Sequence, residues 1–296
     1  MTITTKDLSY GKPTWCPGCG HFAVLNALQR AIIELGLKKE NIACVTGIGC
    51  SSKLSEYLDT YGYHTIHGRS IPSAAGVKLA NPGLEVIAAG GDGDGFAIGC
   101  GHFVHAVRRN IDITYILMNN QVYSLTKGQT SPTSDRGFVT KTSPDGAEET
   151  PINPLLLALA AGASFVASGF SSDVAELSKI IAAGIRHKGF SFINVMSPCV
   201  TFNKLNTYDW YKRNTYNIEE SESELDSGIK YNPKSYEFAM EVAMNFFIRK
   251  PVGILFDVEV PVFKETWLSQ YPVAPANQQI NDISQYHKLM KQYCRE

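Results

Sequence analysis

The sequence predicts an α/β fold, a doubly wound and mainly parallel sheet with a C-terminal extension. Two observations carry this. Short apolar runs of small and β-branched residues, among them "IACVTGIG", "LEVIAAGG" and "FSFINVMS", alternate with longer stretches whose apolar residues recur at three and four, the pattern of buried strands between amphipathic helices. Four run ends carry polar or thiol side chains, Cys50, Asp92, Asn120 and Cys199, and open sheets of this class bind ligands at the carboxyl ends of their strands.

The elements follow in order. Residues 10–20, "YGKPTWCPGCG", form a loop punctuated by glycine and proline, and the helix "HFAVLNALQRAIIELG" after it ends at Gly36. The strand "IACVTGIG" delivers Cys50 and Ser51. A short helix with Lys53 and Glu56 leads into the strand "YHTIHG", which places His67 at its end, and the small-residue helix "SIPSAAGVKLANPG" stops at Asn81-Pro82-Gly83. Residues 89–127 hold a strand end, a turn of alternating glycine and aspartate, a helix of roughly three or four turns, and a second strand ending in Asn119-Asn120. Residues 124–153 are a long polar loop, expected to cover the site or meet a partner. "PLLLALAAG", "SFVAS", "SSDVAELSKIIAAGIRHKG" and "FSFINVMS" then complete a domain over residues 1–200. Residues 201–296 change character: aromatic, then acidic at Glu219, Glu220, Glu222 and Glu224, then a helix around "PKSYEFAMEVAMNFFIRK" and a strand "VGILFDVEV". They are expected to wrap over the domain or a partner.

The turn at residues 91–95 carries the central chemistry. Asp92 and Asn120 stand at neighbouring strand ends, 28 positions apart, and can reach one cation. Mg²⁺ takes hard oxygens in an octahedron and is held by one or two such side chains plus phosphates; the Val122 carbonyl offers a third ligand. Gly91, Gly93 and Gly95 let the backbone approach a diphosphate. The dinucleotide fingerprint Gly-x-Gly-x-x-Gly does not occur here, and the second strand ends in "MNN" rather than a ribose-binding acid. A Gly-Asp-Gly followed just under thirty residues later by Asn-Asn resembles the thiamine-diphosphate motif, whereas the tripeptide alone reads as a plain glycine-rich turn without a ligand.

Composition excludes several classes. At 296 residues, 44% hydrophobic and 19% charged, with a formal net charge of −1, the chain is an ordinary globular protein with no general pull toward nucleic acid or an acidic membrane. Lys212 and Arg213 among aromatics are followed at once by the acidic run, against a nucleic-acid surface. "MTITTKDLSY" lacks a signal-peptide core and no apolar run reaches a membrane span, so a cytoplasmic location is expected.

Seven cysteines in such a chain point to reduced thiols, metal ligation or redox work. Cys16 and Cys19 form one Cys-x-x-Cys pair, while Cys50 and Cys199 stand alone at strand ends. Four thiolates suit structural zinc or an iron–sulfur cluster. A single close pair plus two distant thiols leans toward a [4Fe-4S] cluster without deciding it. Cys44 reads as mid-strand and Cys100 as helical, both small core residues; Cys294 is assigned no role.

Together "WCPGCGH", "GIGCSSK", "HGRSIPSAAGVKLANP", "GGDGDGFAIGCGHF", "MNNQVYSLTKGQTSPTS" and "SPCVTFN" resemble the β subunits of 2-oxoacid:ferredoxin oxidoreductases over residues 12–203. The resemblance implies a thiamine-diphosphate-binding fold of the diphosphate type. It implies Cys16, Cys19, Cys50 and Cys199 as ligands of one [4Fe-4S] cluster. Asp92, Asn120 and the Val122 carbonyl match the Mg²⁺ ligands; Ile48, Gly49, Cys50, Ser51, His67, Gly93, Asp94, Ser124 and Leu125 match the lining of thiamine diphosphate. Lys53 and Lys127 fall at the substrate end or covering loop, as catalytic candidates. The implied activity is oxidative decarboxylation of 2-oxoacids to acyl-coenzyme A and CO₂, with electrons leaving to ferredoxin. The implied partner is an α subunit with the pyrimidine-type domain, without which this chain is inactive. Two other readings share parts of this pattern: a non-oxidative thiamine-dependent decarboxylase subunit, and a zinc-stabilised α/β binding protein. Lys53 suits the distal carboxylate of 2-oxoglutarate and Leu125 a shorter substrate such as pyruvate, so a broad 2-oxoacid range is expected.

Overall fold

Strands buried on both faces need not alternate in polarity, and the apolar runs behave accordingly. The computed structural model describes residues 3–220, 230–263, 275–277 and 283–293; Glu222, Glu224 and Cys294 lie outside them. The runs form β1 (Ile42–Thr46), β2 (Tyr61–His64), β3 (Glu85–Gly91), β4 (Ile113–Asn119), β5 (Phe165–Phe170) and β6 (Phe190–Met196). β7 (Thr215–Asn217) and β8 (Lys250–Asp257) join them in one eight-stranded sheet of order β2-β1-β3-β4-β6-β5-β8-β7. β1 to β6 pair in parallel, while β8 runs antiparallel to β5.

Helices cover both faces. On one, α1 (His21–Glu34) and α6 (Val174–Arg186) bury Val24, Leu28, Ile32, Ile181 and Ile185 against Ile87, Ile116 and Ile193. On the other, α3 (Ser70–Ala80), α4 (Cys100–Arg108), α5 (Pro154–Ala160) and α8 (Tyr236–Met244) close over Val86, Tyr115, Phe190 and Phe192. The strand residues of the two cores alternate, Val86 and Ala88 against Ile87 and Ala89, as the pleat requires. Two further helices, α2 (Leu54–Tyr57) and α7 (Tyr208–Asn214), flank the strand ends, and α9 (Ile283–Tyr293) lies near the C-terminus.

The chain leaves β1 for edge strand β2 and returns past β1 to β3, so the crossovers reverse between β1 and β3. That reversal opens a crevice at the carboxyl ends of these two strands. Ile48 to Ser51 and Gly91 to Asp94 therefore face each other.

The extension does more than wrap. β8 adds to the sheet beside β5, so sheet architecture continues past residue 200 into the segment expected to lie over it. An apolar strand pattern reports burial; neither partner nor direction is written in it. The helix expected directly after the glycine-aspartate turn is also interrupted: a five-residue π-turn, Asp94–Ile98, kinks at Ala97 before α4 begins at Cys100, and π-turns of this kind recur at functional sites. Cys44 is fully buried in β1, and Cys100 packs partly buried against the core. No helix among the described residues is long and apolar enough to cross a membrane.

Candidate active site

A cleft at the β1/β3 reversal is lined by Ile48, Gly49, Cys50, Ser51, His67, Gly91 to Asp94, Asn120 and Val122 to Thr126. Every residue expected to line a diphosphate cofactor or hold its cation is in this set. Lys53 and Lys127 are not among its lining residues. Lys53 Nζ instead donates to Thr14 Oγ1 at 2.7 Å, and Lys127 is exposed with a positive φ of 77°.

Local backbone explains the floor. Gly49 turns at φ 115°, a conformation closed to residues with a side chain, and this swings the chain from β1 toward Cys50. A Cβ on Gly47 would fall 1.8 Å from Asp94 Oδ2, and one on Gly93 would fall 2.2 Å from the Tyr123 ring. Both backbones must pass there bare. Asp94 fastens the three strand ends: its Oδ1 accepts from the N–H of Ile48 at 2.9 Å and of Gly68 at 2.7 Å, and pairs with His67 Nδ1 at 2.9 Å. Its carboxylate thus lies beneath the cleft as a brace.

Asp92 is buried and makes no ion pair among the described residues. Burial pushes its carboxyl pKa up, against hydrogen bonds from the Ser131 and Thr133 hydroxyls. Thr133 Oγ1 reaches Asp92 Oδ2 at 2.8 Å, the Ser131 hydroxyl donates to the same oxygen, and Asn120 N approaches Oδ1 at 3.4 Å. A buried carboxylate short of positive charge fits a divalent cation. Asn120 Oδ1 accepts from Val122 N at 3.1 Å, so the turn after β4 is folded around the asparagine expected to ligate.

The rest of the chain holds that turn. Gln121 adopts φ 56°, strained for a side-chain residue. Its Nε2 donates to the Thr133 carbonyl at 2.9 Å, its Oε1 accepts from Tyr211 OH at 2.6 Å, and Asn203 Nδ2 donates to the Asn120 carbonyl at 3.1 Å. Residues 131–135 of the long polar loop and α7 of the extension therefore both brace the site. Ser131 and Thr133 were not legible as site residues; a run of hydroxyls, "SPTS", in a long loop was the available signal.

The loops that carry the four cysteines adjoin beside this cleft. Cys50 lines it. Trp15 Nε1 donates to the Cys50 carbonyl at 2.6 Å, Cys19 N to the Cys16 carbonyl at 3.0 Å, and Gly20 N to the Pro198 carbonyl at 3.2 Å, which ties the three cysteine-bearing loops together. The thiols feel one another: burial pushes Cys19 up to about 12, and Cys199, Cys50 and Cys16 add to the rise. All described cysteines are free. Two half-buried thiols held protonated by burial, Cys19 and Cys50, fit a centre that would take them as thiolates. Among the described residues, no group of three or more His, Cys, Asp or Glu is arranged to hold a single metal ion.

Comparison with known proteins bears on these two centres. Residues 47–195 match the family "thiamine pyrophosphate enzyme, C-terminal TPP binding domain", and residues 199–270 match the C-terminal family of the pyruvate ferredoxin oxidoreductase beta subunit. The chain is 43% identical over 279 residues to a 2-oxoacid:ferredoxin oxidoreductase subunit beta of Saccharolobus solfataricus, covering 92% of this chain and 91% of that one. It is 39% identical over 252 residues to a 2-oxoglutarate synthase subunit KorB of Methanocaldococcus jannaschii, covering 85% and 90%. A solved 2-oxoglutarate:ferredoxin oxidoreductase from Magnetococcus marinus, with 2-oxoglutarate, coenzyme A and succinyl-CoA bound, superposes with a TM-score of 0.86 at 38% identity, covering 97% and 96%.

Proposed function

Because the chain belongs to the family of 2-oxoacid:ferredoxin oxidoreductase β subunits, we propose that its cleft holds thiamine diphosphate through Mg²⁺ and that its four thiols hold one [4Fe-4S] cluster. The observation that carries this is Cys50, which lines the cleft and belongs to the thiol junction at once.

Asp92, Asn120 and the Val122 carbonyl would hold Mg²⁺, with Ser131 and Thr133 orienting the Asp92 carboxylate. Ile48 to Ser51, His67, Gly93, Ser124 and Leu125 would line the cofactor, while Asp94 keeps their loops in register. Cys16, Cys19, Cys50 and Cys199 would ligate the cluster. Thiamine diphosphate supplies an electron sink for loss of CO₂ from a 2-oxoacid, and an iron–sulfur cluster carries electrons singly toward ferredoxin. The protein's share is orientation, with Ser131 and Thr133 of the 124–153 loop closing on the buried Asp92 that the cation would neutralise. An α subunit would supply the pyrimidine-type domain, and coenzyme A would take the acyl group. The expected substrates are pyruvate and 2-oxoglutarate.

The test is the purified complex with its α subunit, prepared without oxygen. Broad visible absorption, about four irons per chain, and 2-oxoacid turnover dependent on coenzyme A are expected. Zinc in place of iron would overturn the cluster assignment and leave the zinc-stabilised reading; turnover without an electron acceptor would favour the non-oxidative decarboxylase.

A further inference from the structure

Tyr123 belongs to two structures at once. Its main chain closes a hairpin: its N–H donates to the Gln129 carbonyl at 2.9 Å, and its carbonyl accepts from the Gly128 amide at 2.8 Å. Within the loop Gln129 Nε2 donates to the Thr126 carbonyl at 2.8 Å and Lys127 N to the Ser124 carbonyl at 3.1 Å, so residues 123–129 form one bonded unit that carries Leu125 and Lys127. The side chain of Tyr123 serves the cleft instead. Its OH donates to the Gly93 carbonyl at 3.1 Å, and its ring lies so near that a Cβ on Gly93 would fall 2.2 Å from it. The His67 ring meets it edge-on with centroids 6.3 Å apart. Tyr123 also lines a second cavity, bounded by Ser131, Ser134, Glu149 and Ile152, and among the described residues it alone belongs to both linings.

We propose that Tyr123 is a positioning residue that couples this hairpin to the cofactor turn, so that the segment bearing Leu125 and Lys127 is held in place when the turn is occupied. This rests on the assignment of the cleft to thiamine diphosphate. A peptide unit is planar, so holding the Gly93 carbonyl also fixes the N–H that Asp94 presents on the other side of the same plane. Gly93 stands between Asp92 and the bracing Asp94, and a twist of that peptide would move both carboxylates. The phenol bond keeps the turn in one form and keeps Leu125 and Lys127 registered to it. Coupling of this kind is reciprocal: a ligand that steadies the turn steadies the hairpin, and a hairpin released from the turn weakens the ligand.

The test uses the complete complex with its α subunit, thiamine diphosphate with Mg²⁺ as the probe, and the variants Tyr123→Phe, which loses only the hydroxyl, and Tyr123→Leu, which loses the ring as well. Two quantities are read: the Kd of thiamine diphosphate by calorimetry, and amide hydrogen exchange across residues 123–129 with and without the cofactor. In wild type the cofactor is expected to slow exchange in the hairpin. Phe is expected to raise Kd about two- to ten-fold, the loss of one hydrogen bond, and to shrink that slowing, and Leu to do more of both. Should Leu fail to fold, Phe alone decides. A tyrosine that only packs the hairpin would loosen residues 123–129 equally with and without cofactor; that result overturns the proposal, as does a Phe variant with the Kd and exchange of wild type. Wild-type binding without any slowing in the hairpin overturns the coupling and leaves the cofactor assignment standing. A wild-type complex that binds no thiamine diphosphate overturns the assignment and the proposal together.

Discussion

Asp94 Oδ1 accepts a hydrogen bond from the Gly68 amide at 2.7 Å, joining the loop after β3 to the loop after β2 across the intervening β1. Ile48 N, from the loop after β1, shares the same oxygen at 2.9 Å. One carboxylate oxygen thus sets the spacing of three strand ends.

Removing it leaves two inward-facing amides without a partner. Asp94→Ala is expected to cost about 2–6 kcal/mol of stability, since each orphaned buried amide costs roughly 1–3 kcal/mol, and to weaken thiamine diphosphate binding. Asp94→Asn keeps one acceptor and should lose less than half as much. Denaturant titration and calorimetric binding measure both, and an Ala variant as stable as wild type would remove the bracing role.

Asp92 sets stability against binding. Its folded pKa is raised by burial, so between the unfolded value of 3.8 and the folded value the native state binds more protons than the unfolded state. Stability therefore falls as pH rises through that window, and the full cost of the buried charge is present above the folded pKa. Asp92→Asn is expected to make the cofactor-free protein more stable above that window while abolishing the gain from Mg²⁺ and thiamine diphosphate. For wild type, excess ligand at about a hundred times its Kd should add about 2.7 kcal/mol, and a chelator should remove it. A cofactor-free Asn variant less stable than wild type would contradict the sign.

How far the sequence reached depends on what sets each feature. Ile48 to Ser51, Asp92 and Asn120 were legible because a parallel sheet brings consecutive strand ends to one side, so local patterns add up without knowledge of loop paths. Ser131 and Thr133 were not, because residues 124–153 carry no periodicity and their folding over Asp92 depends on contacts with Gln121 and Tyr211. The antiparallel placement of β8 beside β5 was equally hidden, being chosen by long-range pairing. Asp94 was read as cofactor lining; that its carboxylate braces the loops follows from Gly47 passing within touching distance, which no spacing announces.

Lys250 at the start of β8 is almost wholly buried, its Nζ 4.1 Å from the centre of the Phe246 ring and 5.1 Å from that of Phe247. Burial lowers its pKa from 10.5 to about 8, against the pull of Asp135. The unfolded state binds more protons between these values, so stability should rise from pH 8 toward 10.5. Lys250→Met is expected to stabilise the fold at pH 7 by about 1–3 kcal/mol, ring contacts to the cation offsetting part of the desolvation cost. The difference should shrink above pH 8. A pH-independent difference in denaturation midpoints would place the effect in packing alone.

Lys53 is tethered to the loop that precedes Cys16. Its amine donates to Thr14 Oγ1 at 2.7 Å, and that hydroxyl pairs with Tyr57 OH at 2.8 Å. To meet the distal carboxylate of 2-oxoglutarate the amine must leave a neutral hydroxyl for an ionised acceptor of opposite charge. Thr14→Val removes the tether, and KM for 2-oxoglutarate should fall by about five-fold, the equivalent of about 1 kcal/mol, with pyruvate kinetics unchanged. Lys53→Ile should cut kcat/KM for 2-oxoglutarate by about ten-fold or more, the value of about 1.4 kcal/mol, again sparing pyruvate. Steady-state assays of the αβ complex on both substrates decide it. Equal losses on the two would make Lys53 a strut for the Thr14 loop, because a side chain that only holds that loop cannot distinguish a substrate with a second carboxylate from one without.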